Sequence, residues 1–197
     1  DYVKAGLADF GKPEGYVKRQ VQGWSKRYRN AKTPDAPDFE KVMGWLDEKM
    51  PGESGLVGII HNDFKFDNAV LNPANPTEII GILDWEMATL GDPLMDLGSS
   101  LGYWVEKDDP PVMQLIRQMP TNLEGMLTRK EQFDLYCELM GVTSQYFDFY
   151  YAFGLFRLAV IAQQIYYRYY HGQTKDSRFS ALIEPIKVLE STALNVI

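Results

Sequence analysis

The chain turns on two stretches: Leu56-Val57-Gly58-Ile59-Ile60-His61-Asn62-Asp63-Phe64-Lys65-Phe66-Asp67-Asn68, and Ile79-Ile80-Gly81-Ile82-Leu83-Asp84-Trp85-Glu86. In each, an apolar run of strand character ends directly in carboxylates and amides. Charge set against a core is costly unless it is paired or used. Between the two lies Asn72-Pro73-Ala74-Asn75-Pro76, with the turn chemistry of a hairpin.

The first stretch has the spacing H-x-D-x-x-x-x-N over His61, Asp63 and Asn68. That is the spacing of a kinase catalytic loop, in which the Asp accepts a hydroxyl proton and the Asn holds a metal ion. The second places Asp84 at a strand end, where a carboxylate can take Mg²⁺. Moving a γ-phosphoryl group requires an aligned hydroxyl and neutralised phosphate oxygens. Asp63 would orient and deprotonate the hydroxyl, and Asn68 and Asp84 would hold Mg²⁺. Lys65 could meet the transferring phosphate as a point charge. Glu86 is a further metal or supporting group, and His61 a loop-orienting hydrogen-bonding group more than a chemical one. A lone H-x-D-x-x-x-x-N can equally be an Asx turn. Two such elements in order, each after an apolar strand, favour phosphate transfer.

Composition narrows the field. Of 197 residues, 45% are hydrophobic and 13% aromatic, enough for a sizeable core. A net charge of −7 and a pI near 4.9 argue against nucleic-acid or anionic-membrane partners. The single cysteine, Cys137, excludes an internal disulfide and a Cys-rich zinc site. No apolar run is long enough to cross a bilayer, so a cytoplasmic location is the default expectation.

Around the polar centre the pattern is helical. Periodicity predicts helices over about 13–30, 39–50, 93–105, 111–118, 128–140, 145–170 and 178–196, with Asp38 as N-cap of the second. Short strands are predicted at 56–60, 69–71 and 78–83. The fold class is therefore α+β: mostly helical, with a small β insert carrying the polar cluster. Cys137 reads as packing and His171, before Gly172, as a helix C-terminal cap.

The ordered motifs His61-Asn62-Asp63, Asn68, Leu83-Asp84-Trp85-Glu86 and Gly91-Asp92-Pro93-Leu94-Met95-Asp96-Leu97 resemble the aminoglycoside phosphotransferase-like branch of the protein-kinase fold. Asn62 stands where Gly is usual. The opening Gly6 to Tyr16, with Gln20 and Trp24, resembles the subgroup related to the kinase-like domain fused to some acyl-CoA dehydrogenases. The resemblance implies ATP and Mg²⁺ as cofactors, Asp63 as base, and Asn68, Leu83 and Asp84 in the cofactor site. It implies Asp96 as a structural acid tying the catalytic loop to a helix, and Asp92 as that helix's cap. The fold also has a β-rich N-terminal lobe with a glycine-rich loop over the phosphates. No such loop precedes residue 56, so residues 1–197 are expected to correspond to the C-terminal lobe, inactive or nearly so on its own.

The partner implied is a small-molecule hydroxyl acceptor, with a homodimer left open. Residues 103–170 carry Tyr103, Trp104, Tyr146, Phe149, Tyr150, Tyr166, Tyr167, Tyr169 and Tyr170, and Arg157, Arg168, Lys175 and Arg178 lie in the same half. That mixture favours a hydroxylated or acyl acceptor bearing negative charge, such as a hydroxyacyl-CoA, over an aminoglycoside or choline. The aromatic helix reads equally well as core. Alternatives are a catalytically inactive nucleotide-binding module and a metal-dependent phosphohydrolase. The latter lacks a second ligand group at two-metal spacing.

Overall fold

The computed structural model describes residues 1–52, 55–143 and 145–197. Helix α1 (Tyr16–Ala31) buries Val17, Val21, Trp24 and Tyr28, the stripe expected from its period. It starts later than the sequence suggests, because Gly15 takes a left-handed conformation (φ 63°) at the N-cap and leaves Pro13 outside.

Helix α2 (Glu40–Glu48) corrects a second expectation. Its N-cap is Phe39, not Asp38, and Phe39 is itself left-handed at φ 55°. The reason is tertiary. The Phe39 ring lies 4.9 Å from Tyr28 and 5.5 Å from Phe156 in the core, and its N–H donates to Glu190 at 2.8 Å. Asp38 pairs instead with Lys32.

The β insert forms two small antiparallel sheets. Strand β1 (Gly58–Ile60) pairs with β4 (Thr89–Gly91), with Ile59 opposite Leu90. Strands β2 (Ala69–Asn72) and β3 (Asn75–Ile82) form the predicted hairpin, with Asn72 opposite Asn75. Three residues ending in glycine hid β4 from the sequence reading. The hairpin leaves Leu71, Ile79, Ile80 and Ile82 exposed.

Helix α3 (Pro93–Leu101) is capped by Asp92, whose side chain accepts from Leu94 N–H at 2.8 Å, with Pro93 in the first turn. Then come α4 (Pro111–Ile116), α5 (Arg129–Met140) with a full Thr128/Glu131 capping box, α6 (Phe147–Tyr170) and α7 (Ile183–Val196). The predicted final helix splits: residues Ser177–Leu182 form a 3-10 turn ahead of α7.

Helix α6 is the axis, packed by α1, α3 and α7. Phe149, Tyr150, Phe153, Leu155 and Phe156 are all buried, each stabilising by about 1.5–3 kcal/mol. Phe149, Tyr150 and Tyr166 thus follow the core reading of this aromatic run. Cys137 is buried, and His171 caps α6 through its N–H to Tyr167 O. At the α3–α6 crossing the backbones nearly touch: a Cβ on Gly154 would stand 1.9 Å from Gly98 O. None of the helices is long and apolar enough, among the described residues, to cross a membrane.

Candidate active site

The loop leaving β1 is held from two sides. Asp96, on α3, accepts His61 N–H at 2.7 Å and Asn62 N–H at 2.8 Å, one on each carboxylate oxygen. From α6, the buried Arg157 donates to Asn62 O at 2.5 Å. The backbone of Asn62 is therefore gripped at its N–H by one helix and at its C=O by another. Burial raises the Asp96 carboxyl above its ordinary value, and the two N–H donors partly offset this.

Asn62 explains its departure from glycine. Its φ is 65°, a conformation that favours Gly and that Asn tolerates best among the rest. The side chain adds what Gly lacks. Its Oδ1 accepts from Tyr16 OH at 3.2 Å and its Nδ2 donates to Met87 O at 3.0 Å. Burial pushes the Tyr16 phenol up to about 12, so it stays a donor. Asn62→Gly is expected to cost roughly 1–2 kcal/mol through two lost hydrogen bonds. Asn62→Ala should cost roughly 2–4 kcal/mol, because left-handed strain is added. Thermal melts in parallel check this; equal melting for the two variants would contradict it.

His61 is buried. Its Nε2 lies 2.7 Å from Leu83 O and its Nδ1 accepts Asp63 N–H at 3.2 Å, which fits the neutral tautomer protonated at Nε2. The ring thus orients two loops. Leu83 N–H donates to Asn68 O at 2.8 Å, which sets Asp84 beside Asn68.

Asp63 is partly exposed. Its Oδ2 lies 2.8 Å from Lys65 Nζ, and Asn68 Nδ2 donates to Asp63 O at 2.8 Å and to Oδ2 at 3.3 Å. Lys65 also lies 5.2 Å over the Tyr103 ring. Burial acts to lower the Lys65 ammonium, but the hydrogen bond to Asp63 and the nearby Tyr103 outweigh it, holding it above its ordinary value. The half-buried Tyr103 phenol is raised by desolvation and then by the Asp63 charge.

Asp84 is exposed and left-handed (φ 64°, ψ 49°), a strained setting for a non-glycine residue at a strand end. Glu86 is exposed on the 3-10 turn Trp85–Met87 that follows. Among the described residues, no three His, Cys, Asp or Glu side chains converge as a ready-made metal cage. Mg²⁺ does not require one, since it takes one or two protein oxygens and fills the rest with water and phosphate. Asn68 spends its amide nitrogen on Asp63 and keeps its carbonyl oxygen, so this oxygen and the Asp84 carboxylate are hard donors of the kind Mg²⁺ would take.

The structure therefore brings together His61, Asp63, Lys65, Asn68, Leu83 and Asp84, with Glu86 on the adjoining turn. The sequence reading did not assign Tyr16, Asn62 or Arg157 to this site. Asn at a position usually Gly was the available signal for the first contact.

Clamped catalytic-type loop, strand-end carboxylate and capped helix together define a kinase-like phosphotransferase fold. Residues 1–127 match the profile of the phosphotransferase enzyme family, and the chain belongs to that family. It is similar to the mouse acyl-CoA dehydrogenase family member 10, at 36% identity over 90% of this chain and 16% of that protein. The human acyl-CoA dehydrogenase family member 11 is 33% identical over 91% of this chain and 23% of that protein. Among solved structures, a candidate aminoglycoside phosphotransferase from Ralstonia eutropha superposes with a TM-score of 0.84 at 29% identity, over 100% of this chain and 59% of the other. The chain thus spans less than a quarter of the two dehydrogenase-family relatives.

Proposed function

We propose that this chain transfers the γ-phosphoryl group of ATP to a hydroxyl of a small molecule, with Asp63 as the general base. The observation that carries this is the Asp63 carboxylate itself, partly exposed and fixed by Lys65 and Asn68 on a loop clamped by Asp96 and Arg157. Asp63 takes the proton as the acceptor oxygen bonds to phosphorus and the bond to ADP breaks. Lys65, 2.8 Å from the carboxylate, offers a cation to the incoming phosphoryl oxygens. Asn68 and Asp84 would hold Mg²⁺, which when bound neutralises phosphate charge.

The chain acts, in this reading, as the C-terminal lobe of a two-lobed enzyme. The exposed apolar hairpin and the 59% span of the solved neighbour support that division. The acceptor is a hydroxyacyl-CoA or a related hydroxylated metabolite, a choice supported by relatives named as acyl-CoA dehydrogenase family members.

The test is a screen of the full-length protein with ATP and Mg²⁺ against hydroxyacyl-CoAs, choline, amino sugars and aminoglycosides. ADP release with hydroxyacyl-CoAs, abolished by a chelator and restored by Mg²⁺, is the expected result. ADP release with none of the hydroxyl acceptors overturns the reading.

A further inference from the structure

In a chain of net charge −7, guanidinium groups have no shortage of acceptors. Arg19 reaches the carbonyls of Lys12 and Glu14, Arg29 pairs with Glu40, and Arg117 donates to Gln114. Arg129 pairs with Asp109, Arg157 holds Asn62 O, and Arg178 pairs with Asp176. Of the described arginines, only Arg27 and Arg168 lack a hydrogen-bond acceptor or ion-pair partner. Both line the same open groove of about 480 Å³, at the C-terminal ends of α1 and α6. Asn30, Gln164, Tyr167 and Gln173 line it with them, and none of its described lining residues is Asp or Glu.

Two unpaired guanidiniums ringed by carboxamides and a phenol are suited to an anion with several oxygens. The groove also lies on the same side of the α1–α6 pair as the contacts that lead to the catalytic loop. Arg27 lies 4.5 Å over the Trp24 ring and Arg157 lies 5.1 Å over the same ring, while Arg157 holds Asn62 O. Arg168 follows Arg157 by eleven residues on one helix, about 16 Å at 1.5 Å per residue.

We propose that this groove binds a phosphate or diphosphate group carried on the remote end of the acceptor, whose hydroxyl lies at Asp63. The proposal rests on the assignment of Asp63 as base and adds a second anchoring point. An elongated acceptor would span the α1–α6 pair, its anionic end on Arg27 and Arg168. Both side chains are exposed and touch no catalytic group, so their replacement leaves the chemistry intact.

Two measurements on the full-length protein decide it. Inorganic pyrophosphate, titrated against the side-chain NMR signals of Arg27 and Arg168, should shift both, and the shifts should vanish in Arg27→Gln/Arg168→Gln. Steady-state kinetics should then show the double variant's KM for a hydroxyacyl-CoA raised roughly a hundredfold, about tenfold per charged contact. Its kcat, and its KM for the corresponding free hydroxy acid, should be unchanged. Absence of pyrophosphate shifts overturns the groove as an anion site. Shifts with an unmoved thioester KM overturn the placement of the acceptor's end and assign the groove to a separate phosphate. If the parent enzyme turns over neither acceptor, the reading of Asp63 fails on its own account, while the titration still decides the groove.

Discussion

Asp63→Asn should lower kcat by roughly 10²–10⁴-fold while leaving nucleotide affinity nearly unchanged, the usual range for loss of a general base. The substitution is isosteric. With its carbonyl oxygen turned toward Lys65 Nζ and Asn68 Nδ2, the amide keeps the contacts that Oδ2 makes at 2.8 and 3.3 Å. What disappears is a group able to take a proton. The clamp on the loop is made by other residues, Asp96 and Arg157, so the backbone should stay in place. Single-turnover kinetics with ATP and Mg²⁺, alongside nucleotide titration, separate the two effects. Wild-type turnover in Asp63→Asn would remove Asp63 from its role.

Gly154→Ala should be the most damaging single methyl in the helical core. The added Cβ would meet Gly98 O at 1.9 Å, Gly98 C at 2.8 Å and Gly102 N at 3.2 Å, all backbone atoms. No rotamer can relieve such a contact; the two helices must separate. Overpacking typically costs 1–3 kcal/mol and more where backbone must move, so a loss of at least roughly 3 kcal/mol is expected. For a domain of this size that is about 6–12 °C in Tm. Gly44→Ala is the matched control. Gly44 lies in α2 with nothing within 4 Å of its added Cβ, so the change should stabilise by about 1 kcal/mol. Opposite signs from the same chemical change are the expected outcome in thermal melts. Equal melting would mean the α3–α6 crossing yields more easily than its geometry allows.

The residues that the sequence made legible share one trait: their spacing along the chain encodes their spacing in space. His61, Asp63 and Asn68 lie within one loop, and Asp84 follows the next strand, so a motif can register them. Asp92 was readable as a cap because capping is local chemistry. The unread contacts are non-local. Arg157 reaches Asn62 across 95 positions, and nothing near either residue announces it. Phe39 starts a helix in a left-handed conformation because the core draws its ring inward, overriding the better local cap at Asp38. Gly154, lost among aromatics, matters only through Gly98 and Gly102 on a different helix. Strand β4 needed β1 as partner before its three residues had any reason to be extended.

The same crossing has a bearing on how this enzyme can vary. Asp96 and Arg157, which grip the N–H and the C=O of Asn62, sit on the two helices that meet at Gly98 and Gly154. The gap between those helices works as the jaw of a calliper, and the catalytic loop is the object it measures. Core and active site therefore cannot drift independently. A sequence change that widens the jaw by a few tenths of an ångström should displace the loop that carries Asp63 even when the protein stays folded. Lineages that alter the acceptor should do so through the groove between α1 and α6, leaving the jaw at its present setting.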